Sequence, residues 1–150
     1  FRIRDAINVY YDVNGQENPT SNFQWEFVLV DDDQTKNAWC MPGGKIVFYT
    51  GILPVAENET AIAAIMGHEV AHALANHGQQ RMSAAIIQQA GAAGIAAVTN
   101  DKTAKEQEIW KKAYGVGTSI GGMLPFSRSH ETEADQIGLY LMAIAGYNPD

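Results

Sequence analysis

The sequence predicts an α+β domain, mainly helical, with a small antiparallel sheet in its first third. Three observations predict it. Between Phe23 and Tyr49 apolar residues come in short extended runs, one strictly alternating and one rich in β-branched and aromatic residues, the pattern of strands. From Glu59 onward they recur every three or four residues, the helical period. The length of 150 residues, with 46% hydrophobic and 18% charged residues, is that of one ordinary domain able to bury a core. Residues 1–150 are therefore read as a single domain without repeats or linkers. The opening at Phe1 in mid-pattern and the closing turn "GYNPD" are read as the ends of a piece of a longer protein.

Each element has its own reason. Ile3, Ala6, Ile7 and Tyr10 lie at helical spacing, and Asn14-Gly15 and Pro19 stop the helix. "FQWEFVLV" (residues 23–30) alternates Phe23, Trp25, Phe27 and Leu29 against Gln24, Glu26 and Val28, a half-buried strand. Asp31-Asp32-Asp33 is a solvated turn, because the spacing lacks a calcium loop. "NAWCM" and "KIVFYT" are two extended segments around Pro42-Gly43-Gly44. A helix capped by Asn58 or Thr60 runs to about Asn76, with Gly78 just past its end. Residues 83–98 form a second helix of small residues. It is too short and too interrupted by Gln88 and Gln89 to cross a membrane, which takes about 20 apolar residues. A polar helix covers 101–114, and a last helix, capped by Ser127 or Ser129, runs to about Ala145. Met66, Met82, Met123 and Met142 are read as core filler.

Charge and cysteine content narrow the function. Ten basic and seventeen acidic residues give a net charge of −7, with the cations scattered, which argues against a nucleic-acid partner. Cys40 is the sole cysteine, so no internal disulfide forms, and it reads as a small strand hydrophobe.

The chemistry gathers around "MGHEVAHALANHG", residues 66–78. His68 and His72, four residues apart, share one helical face and can converge on one zinc ion. Glu69 projects to the side of the pair, where it can act on a water without ligating the metal. Two histidines leave zinc short of a ligand. "SRSHETEADQIGL" (residues 127–139) offers Glu131 as the third, with Asp135 one turn on to accept the free ring N–H of a ligand histidine. Glu133 is read as a solvated or ion-paired carboxylate on another face. His77 is read as a C-terminal helix cap, His130 as a surface or supporting residue, and Arg81 and Arg128 as braces for a carboxylate.

"GHEVAHALANHG" followed by "SRSHETEAD", with "NAWCMPGG" upstream, resembles the HtpX and CAAX-prenyl-endopeptidase family of zinc metallopeptidases, its soluble cell-envelope members more than its membrane-embedded ones. The resemblance implies a zincin-like fold of the gluzincin type and a zinc-dependent endopeptidase with one Zn2+ per chain. It implies His68, His72 and Glu131 as ligands, Glu69 as general base and Asp135 as support. The family's PGG motif falls on residues 37–44, with Trp39 where phenylalanine is common. By resemblance the following strand borders the cleft, so Gly44, Lys45, Ile46 and Val47 are candidates for binding an extended substrate along a sheet edge. Polypeptide substrates, peripheral envelope association and a periplasmic or cell-envelope location are expected on the same ground. Two alternatives remain: a zinc-stabilised binding or chaperone-like module, and a latent peptidase whose site is closed by the glycine-rich segment 115–122.

Overall fold

The computed structural model describes residues 1–118 and 124–148. Within these the chain forms α1 (Arg2–Val13), β1 (Glu26–Val30), β2 (Ala38–Met41), β3 (Lys45–Tyr49), a 3-10 turn (Thr50–Ile52), α2 (Leu53–Ala56), α3 (Glu59–Leu74), α4 (His77–Val98), α5 (Ala104–Thr118) and α6 (Leu124–Ile144). The mainly helical α+β expectation is borne out. Two compact units arise: residues 1–77 with 132–150, and residues 78–131.

The first unit is built on α1, the sheet, α3 and the later turns of α6. Its core joins Ile3 and Ile7 of α1, Ile46 and Phe48 of β3, Val70 and Leu74 of α3, and Leu141 and Met142 of α6. Met66 packs against this cluster, as expected of a filler residue. Met82, by contrast, is 64% exposed, and Met123 lies outside the described residues.

The sheet corrects two expectations. Its order is β1-β3-β2, and it is mixed, because β1 runs parallel to β3 while β2 is antiparallel to it. Alternation along a strand says which face is buried but nothing about pairing direction. With a neighbour on each side, β3 is the central strand, so Lys45, Ile46 and Val47 have their backbone groups occupied within the sheet and Gly44 closes the turn that feeds it. The edge expected there belongs instead to β1 and β2. Nor is β1 half-buried as its alternation suggested: Phe27, Val28 and Leu29 are all exposed. Gly43 and Gly44 both have φ near +90°, the left-handed half of the map that glycine alone enters without strain.

Helix boundaries shift for identifiable reasons. Asn58 is the N-cap of α3, its side chain accepting the Ala61 N–H at 2.9 Å. The helix ends at Leu74, two residues before the expected Asn76, because Asn76 itself takes the left-handed conformation at φ 56°, a role open to asparagine as well as glycine. His77 thereby becomes the first residue of α4 rather than a C-terminal cap of α3. The last helix begins at Leu124, ahead of Ser127 and Ser129. Of the glycine-rich segment 115–122, residues 115–118 are the end of α5 and the rest lie outside the described residues.

In the second unit α4 and α5 are held together by Tyr114 Oη donating to the Gln88 carbonyl at 3.1 Å, Gln88 Nε2 donating to Thr118 Oγ1 at 3.0 Å, and Gln107 Nε2 donating to the Thr99 carbonyl at 3.1 Å. Among the described residues no helix is long and apolar enough to cross a membrane.

Candidate metal centre

One helix sets the two histidines, and two glycines bring the next carboxylate to them. Gly67 and Gly138 lie where α3 meets α6. A Cβ on Gly67 would stand 3.1 Å from the Gly138 carbonyl oxygen, and one on Gly138 would stand 3.0 Å from the His68 backbone nitrogen. Only hydrogen fits comfortably on both sides, so the helix backbones approach closely at that crossing. The approach carries Asp135, less than one turn before Gly138, to His68: Oδ1 lies 2.9 Å from Nδ1.

His68 and His72 face one another through Nε2, at 3.0 Å. Each keeps its Nδ1 on an outer partner. For His68 that is Asp135. For His72 it is His77 Nδ1, 2.8 Å away, whose own Nε2 lies 3.2 Å from Glu133 Oε2. His77 is 1% exposed, whereas the Glu133 side chain is 56% exposed. Two imidazole lone pairs aimed at one point repel unless a proton or a cation lies between them. On a tetrahedral zinc with bonds of about 2.0–2.1 Å two nitrogens stand about 3.3 Å apart, close to what is found here. The donor chemistry and its outer support therefore fit a divalent metal.

Glu69, half-buried on α3, is next to His68 in sequence. Its charge is felt at Cys40 on β2: burial first, and the Glu69 carboxylate second, push that thiol up to about 12. Strand β2 thus runs beside the helix that carries the histidines.

The remaining expected residues fall as follows. Glu131 closes the second unit, where Arg81 Nη2 donates to its Oε1 at 2.7 Å, the bracing expected of that arginine. It lies on α6 one turn before Asp135. His130 is 4% exposed, and its Nε2 lies 3.0 Å from Gln80 Oε1, so it is not a surface residue. Gly44, Lys45, Ile46 and Val47 lie in the turn and the central strand described above. Glu133 is the ion-paired, exposed carboxylate expected; what sequence reasoning missed is the pairing of His77 with Glu133 behind His72. Its signals were the third histidine five residues after His72 and the carboxylate two residues before Asp135.

A family model described as Peptidase family M48 matches residues 3–150. The chain is similar to a mitochondrial metalloendopeptidase OMA1 of Schizosaccharomyces pombe, at 35% identity over 135 residues, 87% of this chain and 36% of that protein. It is similar to the protein of the same name in Arabidopsis thaliana at 38% identity over 129 residues, 83% of this chain and 24% of the relative. Similarity to the beta-barrel assembly-enhancing protease of Escherichia coli K12 is 26% over 141 residues, 83% of this chain and 26% of that protein. The chain thus spans about a quarter to a third of the length of these relatives.

Proposed function

The chain belongs to peptidase family M48, and from that premise we propose that it is a zinc-dependent endopeptidase acting on polypeptide substrates, with residues 1–150 as one peptidase domain. The observation that carries the reading is the facing Nε2 pair of His68 and His72 with both Nδ1 atoms held from behind. The proposed ligands are His68, His72 and Glu131, one donor atom each. Asp135 is the proposed support of His68.

A bound zinc ion supplies Lewis acidity, making water acidic enough to attack near neutral pH and polarising the peptide carbonyl. The chain does the rest. Asp135 and His77 hold the Nδ1 atoms of His68 and His72, which turns the Nε2 atom of each toward the position the metal would take. Glu69 takes the proton of the attacking water at its carboxylate and returns it to the leaving amine. Substrate backbone is proposed to extend along β2 rather than β3. The Tyr49 N–H donates to the Asn37 carbonyl at 3.1 Å, so by the alternation of an antiparallel ladder the backbone groups of Trp39 and Met41 face β3 and those of Ala38 and Cys40 face the outer edge.

A cell-envelope or periplasmic location, with peripheral association, is proposed on the likeness to the bacterial assembly-enhancing proteases. The mitochondrial relatives favour another compartment, and fractionation of the native host decides between them.

The test of the activity is an unfolded protein substrate, zinc-loaded protein and two variants. Glu69→Gln keeps its zinc and loses hydrolysis by at least about 10²-fold, the scale of general-base loss. His72→Ala loses zinc and hydrolysis together. A Glu69→Gln protein that cleaves like wild type overturns the mechanism. Wild type that holds one zinc without cleaving supports the scaffold or latent readings instead.

A further inference from the structure

We infer that His77 and Glu133 form an outer chain that fixes His72 as a metal ligand, a counterpart to the single carboxylate Asp135 behind His68. The inference deepens the proposed function and rests on His72 holding a metal.

Proton placement makes the case. To bind a cation through Nε2, a neutral His72 must carry its hydrogen on Nδ1. That N–H then donates to His77 Nδ1, 2.8 Å away. His77, having accepted at Nδ1, carries its own hydrogen on Nε2. That hydrogen points to Glu133 Oε2 at 3.2 Å. Each of the two contacts acquires one donor and one acceptor, and the series ends on a carboxylate, which is acceptor-only when ionised. Reversing the series would put the His72 hydrogen on Nε2 and remove it as a ligand. Glu133 therefore selects, through His77, the tautomer that exposes the His72 lone pair.

Burial gives this arrangement its force. His77 is 1% exposed, so its ring is held by its surroundings and its polar atoms are costly to leave unpaired. It occupies the first position of α4, directly after left-handed Asn76, and that turn aims the ring back at α3. Asp135 reaches His68 in one step from α6. Glu133, two residues earlier on the same helix, points elsewhere and needs the second imidazole to reach His72. One helix thus braces both histidines by two routes of different length. His77 and Glu133 are positioning residues, acting through His72 and not on substrate.

The experiment is zinc affinity by competition with a chromogenic chelator, together with the proton spectrum of the cobalt-substituted protein. Glu133→Ala is the main variant, since its side chain is half in solvent and its loss leaves the core intact. Zinc affinity is expected to fall about 10–100-fold, as for other outer partners of ligand histidines. Of the two hyperfine-shifted exchangeable ring N–H signals, that of His72 should broaden by solvent exchange while that of His68 stays. Glu133→Gln, which keeps an acceptor oxygen, should recover most of the affinity. His77→Gln should match or exceed the Glu133→Ala loss; if it fails to fold, Glu133→Ala decides alone. Wild-type affinity and both N–H signals unchanged in Glu133→Ala would overturn the outer chain while leaving the metal centre standing. Undiminished zinc binding in His72→Ala would overturn the metal centre, and the outer chain with it.

Discussion

Cys40 shows what a single side chain near this site feels. Its thiol is pushed up to about 12, by burial first and by the Glu69 carboxylate second. An ordinary cysteine, near 8.5, is substantially thiolate at pH 8, and only the thiolate attacks. At the raised value the thiolate fraction is roughly 10⁻⁴. Iodoacetamide at pH 8 should therefore leave Cys40 intact in the folded protein and alkylate it once the chain is unfolded in guanidinium. Glu69→Gln removes only the lesser cause, so its Cys40 should remain protected. Alkylation of the native protein as fast as a free thiol would contradict the burial of this strand against α3. At this scale the sequence spoke clearly where spacing was local. His68, Glu69 and His72 lie within five residues on one helix, and Asn58 capped it as expected. Glu133 is the exposed, ion-paired carboxylate expected, but His77 was misread as a helix cap because its pairing with Glu133 spans 56 residues, and no local pattern encodes a contact at that range.

At the scale of elements, the crossing of α3 and α6 positions the support of His68. Glycine costs up to about 1 kcal/mol in a helix interior relative to alanine, so Gly67 and Gly138 occupy such positions because closeness requires it. Gly138→Ala brings a Cβ within 3.0 Å of the His68 backbone nitrogen. Backbone cannot rotate aside as a side chain can, so α6 must move outward, and overpacking of this kind costs about 1–3 kcal/mol. The propensity gain offsets part of that. Two readouts check it. The midpoint of denaturant unfolding should fall, and zinc affinity should weaken as Asp135 is drawn away from His68. A Gly138→Ala protein as stable as wild type with unchanged zinc affinity would show that the crossing is looser than described. Here the sequence was only partly legible. Helical periodicity located α3 and α6, but a glycine inside a helix does not say which neighbour it admits. The parallel pairing of β1 with β3 was equally hidden, since strand alternation is blind to direction, and Asn76 was read as the last helical residue although it is the left-handed residue that follows the helix.

On the scale of the whole molecule, charge is unevenly divided between the two units. Residues 78–131 hold six of the ten basic and four of the seventeen acidic residues, leaving the unit that carries His68 and His72 with a net charge of −9. Such a field gathers cations and weakens with salt. It also adds self-repulsion to the folded state, which a bound divalent ion relieves. Zinc should therefore stabilise the fold well beyond a local effect. At a free concentration about a thousand times the dissociation constant, binding to the native state alone contributes about 4 kcal/mol. For a chain of this length that raises the thermal midpoint by roughly 10 °C. Chelation should reverse the shift, and His68→Ala or His72→Ala should abolish it. Because histidine ligands bind only when deprotonated, the shift should shrink as the pH falls into the acid range. The sign follows from competition: protons and zinc contend for the same Nε2 lone pairs, so acid favours the protonated, metal-free form. Differential scanning calorimetry at two pH values, with and without zinc, reads all of this. A midpoint indifferent to zinc at neutral pH would mean that the facing histidines hold no metal, and the peptidase reading of this chain would lose its support.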